Sequence, residues 1–211
     1  MTTEEMTVHD ALAAIKVADA RIEKEIGNAT FCAANRRSNT LIGGVTVEQF
    51  NENAKASFQK ITDLINRRNA LKEAVAQSNA STKITVNGKE YSIAEAIYQY
   101  KEGLGIKKEL LENLQIDYRA SSNTVKEKNE AVRIKCDEQI TNNFGGKDKT
   151  NEADIEAFEK NYIAHHSYDF VDPLNILDKI KTLSDEIDKE TAEFDSKIQT
   201  SNATTIIKIA Y

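Results

Sequence analysis

Apolar residues recur at helical spacing in four stretches of this chain, and each stretch is bounded by residues that start or stop helices. Val8, Leu12, Ile15, Ile22 and Ile26 fall on one face, with Thr7 placed as an N-cap and Gly27-Asn28 as a stop. A second helix opens at Thr46-Val47-Glu48-Gln49, a capping-box pattern. Phe50, Ala54, Ser57, Ile61, Leu64, Arg68, Leu71 and Val75 then keep a four–three spacing, the seam of a helix that packs on another helix. Ser92-Ile93-Ala94-Glu95, another capping box, launches a third helix. Its seam runs through Ile97, Tyr100, Leu104, Leu111, Leu114, Tyr118, Val125 and Val132 to about Ile140. Unbroken, it would be about 70 Å long. Gly103 and Gly105 are placed to kink it, and Ser121-Ser122-Asn123 to split it. Asp172-Pro173 reads as the start of a last helix, with Leu177, Ile180, Leu183, Ile187, Phe194 and Ile198 on its seam.

One phrase occurs twice, each time between a helical pattern and a strand-like one. Ser78-Asn79-Ala80-Ser81-Thr82 leads into Lys83-Ile84-Thr85-Val86, and Ser201-Asn202-Ala203-Thr204-Thr205 leads into Ile206-Ile207-Lys208-Ile209. Aligning the copies also superposes Leu64 on Ile187, Leu71 on Phe194 and Val75 on Ile198. Serine and asparagine compete for backbone hydrogen bonds and end helices, and the β-branched residues that follow favour a pleated chain. Asn87-Gly88 supplies the positive φ angles of a tight hairpin turn. The strand at 205–211 is expected beside that hairpin, giving a small sheet with helical backing.

These patterns predict a mainly α fold. It is a long antiparallel helical hairpin or bundle with a small sheet built from the hairpin at 83–92 and the strand at 205–211. The whole is expected as one domain, residues 1–211, with a polar insertion at about 142–169 holding a short helix near 154–163. The length of the third helix points to coiled-coil-like packing or to contacts between subunits.

Composition narrows the function classes. A formal charge of −6, from 34 acidic and 28 basic residues, argues against direct nucleic-acid binding. One proline and eight glycines suit long uninterrupted helices. No apolar run is long enough to span a membrane, and the acidic opening Thr2-Thr3-Glu4-Glu5-Met6 does not resemble a signal peptide. Cys32 and Cys136 lie far apart without ligand spacing, which suits two free thiols of a cytoplasmic protein.

Arg67-Arg68-Asn69, the first Ser-Asn phrase, and Asn87-Gly88-Lys89-Glu90-Tyr91-Ser92-Ile93-Ala94-Glu95-Ala96 together resemble the central motif of the septicolysin-type small helical proteins. Val171-Asp172-Pro173, through Phe194-Asp195-Ser196-Lys197-Ile198-Gln199-Thr200, to Ser201-Asn202 is similar to that family's closing motif. The insertion at 142–169 departs from the shorter members. The resemblance implies a helical fold and an origin in a bacterial cell or its phage. It carries over no catalytic residues.

Candidate chemistry rests on a few positions. Arg68 falls on the apolar seam between Leu64 and Leu71, which leaves Arg67 off it. A guanidinium there suits an anionic ligand or a carboxylate across an interface; the plainer alternative is an internal salt bridge or a head that reaches water. Arg36 and Arg37, followed by Gly43-Gly44, make a loop able to hold phosphate, although arginines on loops are commonly solvated. Asn79, Thr82, Asn202 and Thr205 are turn chemistry first, with side chains suited to a ribose or a base. His165-His166 with Tyr168 and Asp169 is the one group resembling acid–base equipment, with no third metal ligand at a recognised spacing. No Walker loop, dinucleotide fingerprint, paired-cysteine motif or nucleophile elbow is present.

The expectation is therefore a non-catalytic, oligomeric binding protein without cofactor or metal. It partners itself and an anionic nucleotide-like small molecule, in the manner of a phage protein that sequesters a host immune signal. A virion or assembly component acting through helix contacts is the alternative, and an enzyme centred on His165 and His166 is the third reading.

Overall fold

The structure, a computed structural model, describes residues 2–145 and 152–211. Gly146 and the rest of 146–151, part of the expected insertion, lie outside the described residues. In chain order the elements are β1 (Thr3–Thr7), α1 (Val8–Asn28), β2 (Leu41–Ile42), β3 (Val45–Thr46), α2 (Val47–Ser81), β4 (Lys83–Val86) and β5 (Lys89–Ser92). Then come α3 (Ile93–Tyr98), a π-helical turn (Gln99–Gly103), α4 (Leu104–Phe144), α5 (Glu152–His166), α6 (Ile176–Thr204) and β6 (Ile206–Ala210). The fold is mainly α with small antiparallel strand pairs, as the periodicity predicts. Two compact units divide the chain, Met1–Glu102 with Glu190–Tyr211, and Gly103–Lys189.

The helix starts follow the caps. Thr7, Thr46 and Ser92 each accept a hydrogen bond on the side-chain oxygen from the amide three residues on. At Ser92 the Glu95 carboxylate also reaches back to the Ser92 amide, 2.8 Å away, and completes the capping box. Gly43-Gly44 close a two-rung hairpin between β2 and β3 with φ of +57° and +89°, and Asn87-Gly88 turn β4 into β5 with φ of +50° and +77°.

Several expected details differ. The strand at the end of the sequence does not lie beside the hairpin. β6 pairs with β1 from Thr3↔Ala210 to Thr7↔Ile206, and β4 pairs with β5 as a separate ladder. The buried face of α1 runs through Val8, Ala11, Ile15 and Ala18, while Leu12 is 42% exposed and Ile26 50%. Alanines set that face because their small side chains let α2 approach. Ser121-Ser122-Asn123 do not split α4, which runs unbroken to a left-handed cap at Gly145. Asp172 does cap α6, its carboxylate accepting from the Ile176 amide at 2.9 and 3.0 Å. A turn with Asn175 at φ +52° intervenes, so the helix begins at Ile176 rather than at Pro173.

Within the first unit the fold is internally repeated more fully than the Ser-Asn phrases suggest. Thr7-Val8-His9-Asp10-Ala11 and Ser92-Ile93-Ala94-Glu95-Ala96 occupy equivalent places, each a strand end, an N-cap and a first helical turn. Val8 and Ile93 are 2% and 1% exposed, and Ala11 and Ala96 are both fully buried. Leu71 matches Phe194, and Ile209 matches Val86, all of them buried. The Thr205 carbonyl accepts from the Val8 amide at 3.0 Å, and the Thr82 carbonyl from the Ile93 amide at 2.9 Å. The first unit thus carries two related halves, one running from β1 to β4 and the other from β5 to β6, and the β1–β6 and β4–β5 pairs each take one strand from each half. One core gathers Val8, Ala11, Ile15, Leu71, Val75, Ile207 and Ile209. In the second unit, Cys136 and Ile140 of α4 close on Ile155 of α5, with Phe144, Phe158 and Tyr162 around them. Cys136 is buried, Cys32 is exposed, and both are free thiols.

If the halves are equivalent, the Asn87-Gly88 turn and a short link from Tyr211 to Thr2 are interchangeable. A permuted chain cut between Asn87 and Gly88 and joined at 211–2 is expected to keep the parent's far-ultraviolet circular dichroism and unfold cooperatively. Its Tm should stay within about 5 °C, or roughly 1–2 kcal/mol for a chain of this size. A permutant without helical signal counts against the equivalence.

Candidate functional site

The residues singled out from sequence do not converge on one place. Arg36 and Arg37 lie on the loop before α2, Arg67 and Arg68 in its middle, and Asn79 and Thr82 at its end. Ser57 and Asn79, on the same helix, are separated by about 33 Å of helical rise.

Arg68 sits on the seam as expected, but its charge is already met within the unit. Its Nε donates to Asp19 Oδ1 of α1 at 2.6 Å, and Nη1 to Asn69 Oδ1 at 3.2 Å. The Arg68 side chain remains 30% exposed, so this is a partly solvated interhelical ion pair rather than a sunken cation.

Arg67 holds the more constructed position. Its Nε and Nη2 donate to Glu4 Oε1 and Oε2 at 3.1 and 2.8 Å, a two-pronged grip on β1. The Tyr211 hydroxyl donates to the same Glu4 Oε1, and the Tyr211 ring lies under the guanidinium with 5.8 Å from Cζ to the centroid. One cation on α2 thereby clasps β1 and the residue after β6. The bonds from Arg67 and then Tyr211 hold the Glu4 carboxyl below its usual pKa, and the bond to Glu4 pushes the Tyr211 phenol up. At the equivalent places of the other half stand Glu190 and Lys89, with the charges reversed. Sequence reasoning missed this clasp because the acidic opening was not read as a strand; the signal was the alternation of Glu4 and Met6 just before the Thr7 cap.

The Ser-Asn phrases are not turns: Ser78–Ser81 and Ser201–Thr204 form the last helical turn of α2 and α6, because the backbone completes its i→i−4 bonds there, and only Thr82 and Thr205 leave the helix. Ser78 Oγ and Thr82 Oγ1 stand 3.5 Å apart, Ser201 Oγ and Thr205 Oγ1 3.4 Å, and the Thr82 and Thr205 amides bond to the Ser78 and Ser201 carbonyls. Asn79 and Asn202 are half-buried beside them. His165 and His166 close α5 and are exposed. The His166 ring stacks on Tyr162 at 4.2 Å, with Nδ1 2.8 Å from the Tyr162 carbonyl. Among the described residues no group of three His, Cys, Asp or Glu is placed to hold a metal ion.

The concave site nearest the expected chemistry lies where the 29–46 loop crosses α2. Lys60 pairs with Glu25 at 2.6 Å and fixes the end of α1 to α2, and Phe31 meets Phe58 edge-on with centroids 6.3 Å apart. Where the loop meets the first turns of α2 opens a cleft of about 370 Å³. Phe50 and Val45 give it an apolar wall, and Asn28, Thr30, Asn53 and Ser57 bring amide and hydroxyl groups to it. Spacing of three and four residues places Phe50, Asn53 and Ser57 on one face of α2. Arg36 and Arg37 follow on the same loop, exposed, and form no ion pair among the described residues. They stand outside the cleft's lining. The loop is tied across its tip by the Asn39 amide to the Arg36 carbonyl at 2.9 Å. Asn53 carries no motif and Asn28 reads only as a helix stop, so neither is singled out as a site residue by pattern; Phe50 and Ser57 read as seam positions and face the cleft.

No protein-family model, curated protein or solved structure matches this chain.

The clasp makes stability pH-dependent on both sides. The depressed Glu4 contributes stability fully above the unfolded carboxyl value of about 4.3, lost as pH falls through its folded value. The raised Tyr211 contributes below the unfolded phenol value of about 10, lost as pH rises through its folded value. Tm measured against pH should therefore fall on both flanks. Glu4→Gln should flatten the acid flank and Tyr211→Phe the alkaline one; unchanged flanks in both variants would show that the clasp carries no stability.

Proposed function

We propose that this protein binds an anionic, nucleotide-like small molecule without transforming it, in the cleft between the 29–46 loop and α2. The observation that carries the reading is the pairing of a cleft of about 370 Å³, walled by Phe50 and hydrogen-bonding side chains, with two unpaired arginines on its own loop. That volume falls within the range of small-ligand sites. Phe58, 64% exposed beside the cleft, offers a face on which a base can stack. Asn28, Asn53, Thr30 and Ser57 suit base edges and ribose hydroxyls, and Arg36 and Arg37 suit phosphate. Arg67 and Arg68, engaged by Glu4 and Asp19, support the scaffold on this reading. Held in a phage-infected bacterium, such a binder would withdraw a host signalling nucleotide from circulation.

A virion or assembly role is favoured by a different observation, the large apolar side chains left on helix surfaces, among them Val17 at 68% and Ile106 at 70% exposure. Abundance in purified particles by mass spectrometry would support that reading, and absence would remove it.

Titration calorimetry with mono-, di- and cyclic nucleotides decides the binding reading. A ligand should bind, and the Arg36→Ala/Arg37→Ala double variant should weaken it at least tenfold, about 1.4 kcal/mol. Arg68→Ala should leave affinity within a few-fold while lowering Tm. Absence of binding by every nucleotide up to about 1 mM would overturn the proposal.

A further inference from the structure

The second unit carries a groove between the first turns of α4 and the start of α6 that its own residues do not fill. Its floor is apolar. Leu110 and Leu114 come from α4, Leu174 and Leu183 from the α6 side, around a volume of about 370 Å³. Leu110, Leu174 and nearby Leu177 are each more than half exposed, and Ile106, one turn before Leu110, is 70% exposed. A contiguous apolar patch of this kind on a helical surface marks a contact site.

The rim says what kind of partner fits. Lys179 stands at one end of the α6 edge and Glu186 at the other, about 10 Å apart along the helix, with Thr182 near the midpoint. Neither charge has an ion pair among the described residues. A two-fold axis through that midpoint sets Lys179 of one chain against Glu186 of another, twice, with the leucines facing each other between. The patch is thus complementary to itself, which is the condition for an isologous contact. It is also locally neutral, so the −6 charge of the whole chain does not fall on it. A foreign helix would need a matching minus-to-plus order; a second copy supplies it by symmetry.

We propose that this groove is the face by which the protein pairs with a second copy of itself, antiparallel along α6. The pairing is separate from the cleft at the 29–46 loop and does not rest on it.

Sedimentation equilibrium on the full chain tests the arrangement by charge exchange on exposed residues that folding does not need. The parent should show a mass of twice 23.6 kDa at tens of micromolar, a range set by ordinary dimer affinities. K179E and E186K should each weaken the dimer about tenfold, because like charges then face each other twice. Mixing the two single variants should restore association, and the double variant K179E/E186K should dimerise as the parent does. Leu110→Asp should give a monomer of unchanged helicity. A parent that stays monomeric to about 1 mM overturns the proposal. So does a dimer indifferent to both reversals, or one that the mixed variants fail to restore.

Discussion

Two backbone hydrogen bonds govern how the first unit is put together. Thr82 and Thr205 each end a long helix and begin a strand, and each carbonyl accepts the first amide of a different helix, Ile93 and Val8. A helix start has amides with no partner inside the helix, and a helix end that turns extended frees its carbonyls. Joining one to the other satisfies both at the junction. It also fixes where α1 and α3 enter relative to the strand pairs. Val8 and Ile93 are then driven inward, and Ala11 and Ala96 follow one turn later, both fully buried. The repeated Ser-Asn phrase is the sequence mark of this joint. Its serines and threonines stop the helix at the residue whose carbonyl is needed.

Much of this was legible because caps and seams are local. Thr7, Thr46 and Ser92 announce their helices through side chains that bond three residues away, and Asn87-Gly88 announces its turn by backbone preference alone. What local pattern does not encode is which strand pairs with which. The strand at 206–210 has the same alternation whether it lies beside β4 or beside β1, and only Ile207 and Ile209 turning inward against Met6 and Val8 reveals the choice. The large-residue bias of hydrophobic patterns failed in a similar way on α1. Leu12 and Ile26 fit the pattern by size, whereas the burial there belongs to Ala11 and Ala18.

The arginines show why seam position is a poor guide to chemistry. Arg68 stands between apolar residues, yet its long stem lets the head reach Asp19 at the helix edge, where water still screens the pair. Arg67, one residue earlier, escapes the seam and meets β1, a strand that the apolar pattern does not mark. There it gains a fork-to-fork bond and an aromatic face, geometry a lysine could not reproduce. A cation already met by a carboxylate must give up that partner to hold a ligand. On the proposed reading, Arg36 and Arg37, on the loop before α2, have no such partner to give up.

An acidic chain with a basic loop also separates small anions from polyanions. Screening limits the reach of each charge to about 8–10 Å at physiological salt. On the proposed reading, a molecule the size of one or two nucleotides, seated against Phe50 and Asn53, draws on Arg36 and Arg37 of the neighbouring loop. A nucleic acid laid across the same loop would extend beyond that distance over a surface whose overall balance is −6. Its further phosphates would meet repulsion without gaining guanidinium partners. On the proposed reading, then, the net charge discriminates against the polymer while the loop retains affinity for the monomer.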